Sequence, residues 1–171
     1  MASPKIEPTG LVVIFLGVDG VLNSVADIRR GVELDPEKLR LFADLVRATG
    51  AKVVLSSSWR LAQASFDEVE FTLLGYGVTV ADCTPPLIAL GMYGGQLRTR
   101  GDEIQRWLDF NQVERFAILD DVDDGLSRFP EFFPVSFETG LTLGICNAII
   151  HHLNKETITS EEVGEINEIF G

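Results

Sequence analysis

Short apolar runs alternate with amphipathic stretches along most of this chain. The apolar runs cover residues 11–16, 52–55, 78–80, 116–119 and 135–137. Between them, apolar residues recur at three- and four-residue spacing, as on a helix face that packs against a sheet. The alternation predicts an α/β fold with a parallel sheet of about five strands.

Capping residues and glycines mark the predicted helix boundaries. Asp35 followed by Pro36 is a typical helix start, and Gly50 predicts where that helix ends. Ser65–Glu68 has the form of a capping box and predicts a second helix that ends near Gly75. Further helices are predicted over 102–110 and 142–153, with a last, acidic one over 156–171.

The length of 171 residues suits one domain over 1–171 with a sizeable buried core. The polar residues 1–9 are expected to form a flexible N-terminus. Residues 84–96 are rich in Pro and Gly and lack core periodicity, which predicts a loop.

Composition narrows the classes of partner. With 14 basic and 26 acidic residues the formal charge is −12, so the surface repels a polyphosphate backbone and disfavours non-specific nucleic-acid binding. A local basic pocket inside this acidic envelope stays open.

No apolar stretch is long enough to span a membrane, and the N-terminus lacks a secretory segment. Cys83 and Cys146 have no metal-type spacing, which indicates reduced thiols in a cytoplasmic protein.

Polar clusters follow three of the predicted strands. They are Gly17–Gly20, Ser56–Arg60 and Asp120–Asp124, and Arg100 precedes the helix that leads into the fourth strand. Each cluster alone is a weak signal. In open α/β sheets, however, ligands bind beyond the carboxyl ends of the strands, so the clusters together predict one site.

The residue types in these clusters suit phosphoryl transfer. Converging carboxylates repel each other unless a hard cation lies between them, and Mg²⁺ prefers such oxygens. Hydroxyls and backbone N–H groups at a helix start hold phosphate oxygens, a role predicted for Ser56 and Ser57. An arginine offsets the charge of the transferred group.

This pattern resembles the haloacid dehalogenase (HAD) phosphohydrolases, and most closely the HAD domain associated with Swiss-army-knife-type RNA repair proteins. The residues that carry the likeness are Val18–Asn23, Val54–Arg60, Arg100–Ile104 with Trp107 and Leu108, Ile118–Asp121 and Thr139–Thr142. The resemblance implies a HAD-like Rossmannoid three-layer sandwich. The segments between the motifs are too short for a large cap domain.

The first motif of that family reads Asp-x-Asp-Gly, and its first Asp is the nucleophile that becomes an aspartyl-phosphate. In this chain Gly17 occupies the nucleophile position and supplies neither the attacking carboxylate nor a metal ligand. The resemblance implies that Asp19 is the general acid/base and that its backbone carbonyl binds the metal. It also implies a phosphate-binding turn at Gly20.

The later motifs imply the rest of the site. Ser56 matches the phosphate-binding hydroxyl, and Arg100 takes the place of the third-motif base, with Arg98 as the alternative. Asp120 and Asp121 match the acidic pair that holds Mg²⁺. Trp59 and Trp107 are interpreted separately, as core aromatics rather than base-stacking platforms.

The sequence therefore predicts a capless, Mg²⁺-dependent HAD-type phosphatase that is inactive or nearly so because of Gly17. The alternative is a non-catalytic phosphate-binding or protein-interaction module on the same fold. Whether Gly17 is an introduced change or belongs to a natural pseudophosphatase stays open.

The expected partner is a phosphorylated substrate. A capless site is open enough for a macromolecular phosphate, either on a protein side chain or at a nucleic-acid end. The subfamily likeness favours nucleic-acid ends and the charge of −12 disfavours them, so the choice stays open, and small metabolites stay open too.

Overall fold

The structure, a computed structural model, describes residues 10–87 and 98–154. Its centre is a five-stranded sheet in the order β3-β2-β1-β4-β5, and every neighbouring pair is parallel. The strands are β1 (Leu11–Leu16), β2 (Lys52–Leu55), β3 (Val80–Cys83), β4 (Val113–Asp120) and β5 (Phe132–Pro134). The predicted α/β fold with a parallel five-stranded sheet is confirmed.

Helices cover both faces of the sheet. They are α1 (Val25–Arg29), α2 (Pro36–Thr49), α3 (Gln63–Gly75), α4 (Arg100–Asp109) and α5 (Leu143–Leu153), with a 3₁₀ turn at Ser58–Leu61. The strand β1 contributes to both faces, because successive side chains point to opposite sides. Leu16 packs in the cluster shared with α2, α3 and α5, whereas Phe15 packs with Ile104 of α4. The result is the three-layer arrangement that the sequence indicates.

The segment after β1 is short and contains only α1 between residues 20 and 35. Its N-cap, Ser24, forms a capping box with Asp27. Within residues 10–87 and 98–154, no separate cap domain covers the carboxyl edge of the sheet.

The start and end of α2 agree with the prediction. The Asp35 side chain accepts a hydrogen bond from the backbone N–H of Glu37, and Pro36 is the first helical residue. Gly50 ends the helix in the left-handed conformation, with φ at 65°. This conformation strains residues with a Cβ, so a glycine is favoured there.

Several predicted boundaries are wrong. The fifth strand is Phe132–Pro134 and not 135–137, because β5 pairs with β4 only as far as Asp120. Proline is tolerated there because β5 is an edge strand. The third strand begins at Val80 and not at residue 78.

Two helix starts also differ. The α3 helix begins at Gln63, and its N-cap makes no side-chain hydrogen bond, so the predicted capping box at 65–68 lies inside the helix. The α4 helix begins at Arg100 and not at Asp102, because Thr99 and Asp102 form the capping box. This earlier start places Arg100 in the first turn, where it faces the end of β4.

Several predictions concern residues outside the described ranges: the flexible N-terminus 1–9, most of the loop 84–96, and the acidic helix 156–171. Across 10–87 and 98–154, no helix is long and apolar enough to cross a membrane. Cys83 and Cys146 are both free thiols, and Cys146 is buried. A cytoplasmic location stays a prediction.

Candidate functional site

The ends of three strands meet at one edge of the sheet. The backbone N–H of Gly17 donates to the carbonyl oxygen of Leu119 at 2.8 Å, and that of Ser56 donates to Leu16 at 3.1 Å. These bonds continue the pairing of β1 with β4 and with β2 just beyond the strands. Gly17, Ser56 and Asp120 therefore lie side by side, as the sequence predicts for the polar clusters.

Gly17 is buried, and its backbone φ lies outside the left-handed region, so the conformation itself does not demand glycine. A Cβ at this position would lie 2.9 Å from Oδ2 of Asp120 and 3.0 Å from the carbonyl oxygen of Leu119. The carboxylate of Asp120 thus lies against the point where a side chain at position 17 would begin.

Asp19 is exposed, and both of its carboxylate oxygens are hydrogen-bonded. Asn23 Nδ2 donates to Oδ1 at 3.0 Å, and the indole Nε1 of Trp59 donates to Oδ2 at 3.0 Å. Donors from two different segments fix the direction of this carboxylate. The interpretation of Trp59 as only a core aromatic is incomplete, since its polar atom reaches Asp19, whereas Trp107 is 7% exposed and packs in the core as predicted.

Asn23 is a site residue that the sequence interpretation did not single out. It is fully buried, and its Oδ1 accepts the backbone N–H of Gly20 at 2.7 Å. Its Nδ2 also donates to the carbonyl of Glu33 at 2.7 Å, which anchors the far end of the segment after β1. At Gly20, where a phosphate-binding turn was expected, the backbone N–H is therefore engaged by Asn23. An Asx residue three positions after a glycine turn is the signal that identifies this role.

The two serines after β2 have different environments. The Ser57 hydroxyl accepts the backbone N–H of Trp59 at 3.3 Å and so caps the 3₁₀ turn. Ser56 is fully buried, and its Oγ has no hydrogen-bond partner within 10–87 and 98–154. A buried hydroxyl without a partner is destabilising, and a ligand oxygen would satisfy it.

Of the two candidate arginines, only Arg100 reaches the site. Its Nη1 lies 2.5 Å from Oδ2 of Asp120, and its backbone N–H donates to Oδ2 of Asp124 at 2.9 Å. Arg98 is exposed and lines a separate open cavity of about 350 Å³ beside Arg106 and other residues of α4. The geometry therefore favours Arg100 as the basic residue of the site.

Asp120 and Asp121 form an acidic pair at the end of β4. Asp120 is fully buried, and its Oδ1 accepts the backbone N–H of Val122 at 3.1 Å. Burial, followed by the hydrogen bond and the negative charge of Asp120, raises the pKa of Asp121 to about 6. Asp121 packs against the turn that follows β1. A Cβ on Gly20, in that turn, would lie 2.5 Å from the Cβ of Asp121.

The predicted metal ligands do not form a ready-made cage. Within the described part of the chain, no three His, Cys, Asp or Glu side chains cluster closely enough to hold a metal ion. Gly17 adds no carboxylate, and the carboxylate of Asp19 is directed toward Asn23 and Trp59. The adjacent carboxylates of Asp120 and Asp121 are the pair whose mutual repulsion a cation would relieve.

One protein-family model matches most of this chain. The family model described as the HAD domain in Swiss Army Knife RNA repair proteins matches residues 13–144. Neither the curated proteins nor the solved structures that were searched gave a match. The matched range runs from β1 to the first turn of α5 and contains every candidate site residue named above. The chain belongs to the family of HAD domains found in Swiss Army Knife RNA repair proteins.

Proposed function

We propose that this chain has the site of a Mg²⁺-dependent HAD-type phosphomonoester hydrolase. In this chain the site binds phosphate but lacks the nucleophile that rapid turnover requires. The observation that carries the proposal is the gathering of Ser56, Arg100 and Asp120 around Gly17, which has no side chain to offer. The family membership supports the reaction class.

Phosphate binding is assigned to Ser56 and Arg100. The buried Ser56 Oγ is a donor with no partner in the described chain, and a phosphate oxygen satisfies it. The Arg100 side chain is about one-fifth exposed, and its guanidinium has five N–H donors, so it has donors for a second oxygen while it contacts Asp120. Both groups act by charge and hydrogen bonding on the transferred group.

The Mg²⁺ site is assigned to Asp120 and Asp121, together with the backbone carbonyl of Asp19. Two adjacent carboxylates and a carbonyl supply oxygen ligands of the kind that Mg²⁺ prefers, and waters complete its shell. When bound, the ion neutralises the acidic pair and the phosphate charge. Gly17 leaves this ligand set one carboxylate short.

Asp19 is assigned as the general acid/base. Its carboxylate is exposed to substrate and is held in direction by Asn23 and Trp59. In the Gly17→Asp variant the introduced carboxylate attacks phosphorus, and the bond to the leaving oxygen breaks as Asp19 gives that oxygen a proton. Asp19 then takes a proton from water, which attacks the acyl phosphate and releases inorganic phosphate.

The second candidate is a non-catalytic phosphate-binding or protein-interaction module. The contact between Asp120 and the space next to Gly17 favours it, because a nucleophile would have to displace that carboxylate. The two candidates share the binding site and differ only in turnover. Restoring the nucleophile separates them.

We infer that the substrate phosphate is carried by a macromolecule. The described residues contain no cap domain that would enclose a small metabolite. The family's RNA repair context favours a nucleic-acid end, whereas the charge of −12 disfavours it. Turnover by the Gly17→Asp variant of a phosphopeptide, compared with that of a phosphorylated oligonucleotide, decides between the two.

Calorimetric titration with inorganic phosphate tests the binding site. In the presence of Mg²⁺ we expect binding by the unsubstituted chain, and binding at least about tenfold weaker in Ser56→Ala, which loses a donor to a charged ligand. Ser58→Ala is the matched control, because Ser58 is exposed on the same turn. Failure of the unsubstituted chain to bind phosphate contradicts the proposal.

A further inference from the structure

A buried arginine with no assigned role lies beside the candidate phosphate site. Arg60 comes at the end of the Ser56–Arg60 cluster, and its side chain is only 5% exposed. Its ion-pair partner is Glu103 of α4, whose side chain is 9% exposed. Burying a charged pair is costly unless the remaining donors and acceptors are also satisfied.

The guanidinium of Arg60 meets this condition by binding three carbonyl oxygens. Nη1 donates to the carbonyls of Ser56 at 3.1 Å and Ser57 at 2.9 Å. Nε donates to the carbonyl of Thr84, directly after β3, at 3.0 Å, and Nη2 pairs with Glu103. One side chain therefore joins the ends of β2 and β3 to the first turns of α4.

These joined segments are the ones that carry the phosphate-binding groups. The carbonyl oxygen of Ser56 accepts a hydrogen bond from Arg60, and the hydroxyl of the same residue has no partner in the described chain. Arg100 lies three residues before Glu103, one turn earlier on α4. A shift of the Arg60–Glu103 pair would therefore change the distance between the Ser56 hydroxyl and the Arg100 guanidinium.

We propose that Arg60 and Glu103 are a positioning pair, which sets the separation of the Ser56 hydroxyl and the Arg100 guanidinium to suit one phosphate. Neither residue touches the ligand. The inference rests on the proposed phosphate-binding function. It requires the planar, forked donors of arginine, which a lysine does not reproduce.

Phosphate affinity in a double-mutant cycle tests this role. Arg60→Lys keeps the charge but loses the fork, and we expect it to bind inorganic phosphate at least about tenfold more weakly with Mg²⁺ present. In a Ser56→Ala background the same substitution should cause little further loss, because the hydroxyl it positions is gone. A merely structural role of Arg60 would weaken both backgrounds equally.

The matched control is Arg47→Lys, at a pair with Asp44 that lies exposed on α2. It should leave phosphate affinity unchanged. Circular dichroism and urea unfolding establish that each variant is folded at the titration temperature. If Arg60→Lys fails to fold, Glu103→Gln is the second variant, with an expected loss of at least about threefold.

The outcomes separate the two proposals. No phosphate binding by the unsubstituted chain contradicts the proposed function itself. Normal binding by that chain, with equal affinity in a folded Arg60→Lys or Glu103→Gln variant, overturns only the positioning role. Equal losses in the Ser56 and Ser56→Ala backgrounds also overturn it.

Discussion

The buried amide of Asn23 links the turn after β1 to the chain just before α2. Its side chain accepts from Gly20 and donates to Asp19 and to the carbonyl of Glu33. Asp19 and Gly20 lie in the turn itself, whereas Glu33 lies just before α2. The direction of Asp19, and therefore its proposed use as an acid/base, depends on that amide.

Asn23→Ala should lower the free energy of unfolding by about 2 kcal/mol or more, because it leaves buried backbone groups without partners. Urea unfolding at neutral pH measures this loss. Asn154→Ala is the control, since the exposed Asn154 makes one hydrogen bond to Ala48. A loss at Asn23 no larger than at Asn154 contradicts the assignment.

Gly20 and Gly31 offer a matched pair of glycines. Their φ angles are 74° and 77°, so alanine strains the backbone by about 1–2 kcal/mol at each. A Cβ at Gly31 meets open space, whereas one at Gly20 would lie 2.5 Å from the Cβ of Asp121. Only Gly20→Ala should weaken Mg²⁺ binding, as measured by calorimetric titration. Equal Mg²⁺ affinity in both variants would refute the placement of Asp121 in the metal site.

At the scale of elements, a buried ionic cluster fastens α1 to the start of α2. Lys38 Nζ lies 2.8 Å from Asp27 and 2.6 Å from Asp35, and Arg30 also pairs with Asp27. The Asp27 side chain is 3% exposed. The hydrogen bond from Lys38, opposed in part by burial, holds the pKa of Asp27 far below its ordinary range.

The lowered pKa of Asp27 determines how the stability of the protein changes in acid. The folded state keeps Asp27 ionised at pH values where the unfolded chain, with a pKa of about 4, binds a proton. The contribution to stability is therefore complete above about pH 4 and falls as the pH drops toward the lower folded pKa.

Asp27→Asn should lower the free energy of unfolding at pH 7 by about 3 kcal/mol, because it removes the charge of a buried carboxylate that pairs with both Lys38 and Arg30. Its stability should also fall less steeply below about pH 4. Urea unfolding across this pH range measures both effects. Asp44→Asn, at the exposed pair with Arg47, should cost less than about 1 kcal/mol. An equal cost at the two positions would rule out the cluster as a fastening point.

At the scale of the molecule, the site depends on the order of the strands. Because β1 lies between β2 and β4, their carboxyl ends bring Gly17, Ser56 and Asp120 together. Apolar patterning was sufficient to predict this sheet and hence the edge at which the site lies. It was not sufficient for β5, where pairing with β4 and the edge position of Pro134 set the bounds.

Two contacts that the sequence interpretation missed join residues far apart along the chain. Trp59 reaches Asp19 across 40 residues, and Arg60 reaches Glu103 across 43. No periodicity or local motif encodes such pairs, because they form only when strand ends and helices come together. The sequence therefore predicted which segments lie together at the candidate site and left the partners of their side chains to the folded structure.

We attribute the low expected turnover to Gly17, which lies beside Ser56 and Asp120 but supplies no nucleophile. Position 17 accepts a side chain without left-handed strain. A Cβ there would lie 2.9 Å from Oδ2 of Asp120 and 3.0 Å from the carbonyl oxygen of Leu119, so the carboxylate has to shift and the backbone of β4 has to give slightly. Gly17→Asn is the matched control, because its amide fills the same space but is not a comparable nucleophile.

The direct measurement is hydrolysis of p-nitrophenyl phosphate with Mg²⁺ by the unsubstituted chain, Gly17→Asp and Gly17→Asn. We predict that Gly17→Asp raises kcat/KM at least about 100-fold, as expected when a nucleophile is restored, and that Gly17→Asn does not. Equal rates for the unsubstituted chain and a folded Gly17→Asp variant would contradict this role of Gly17.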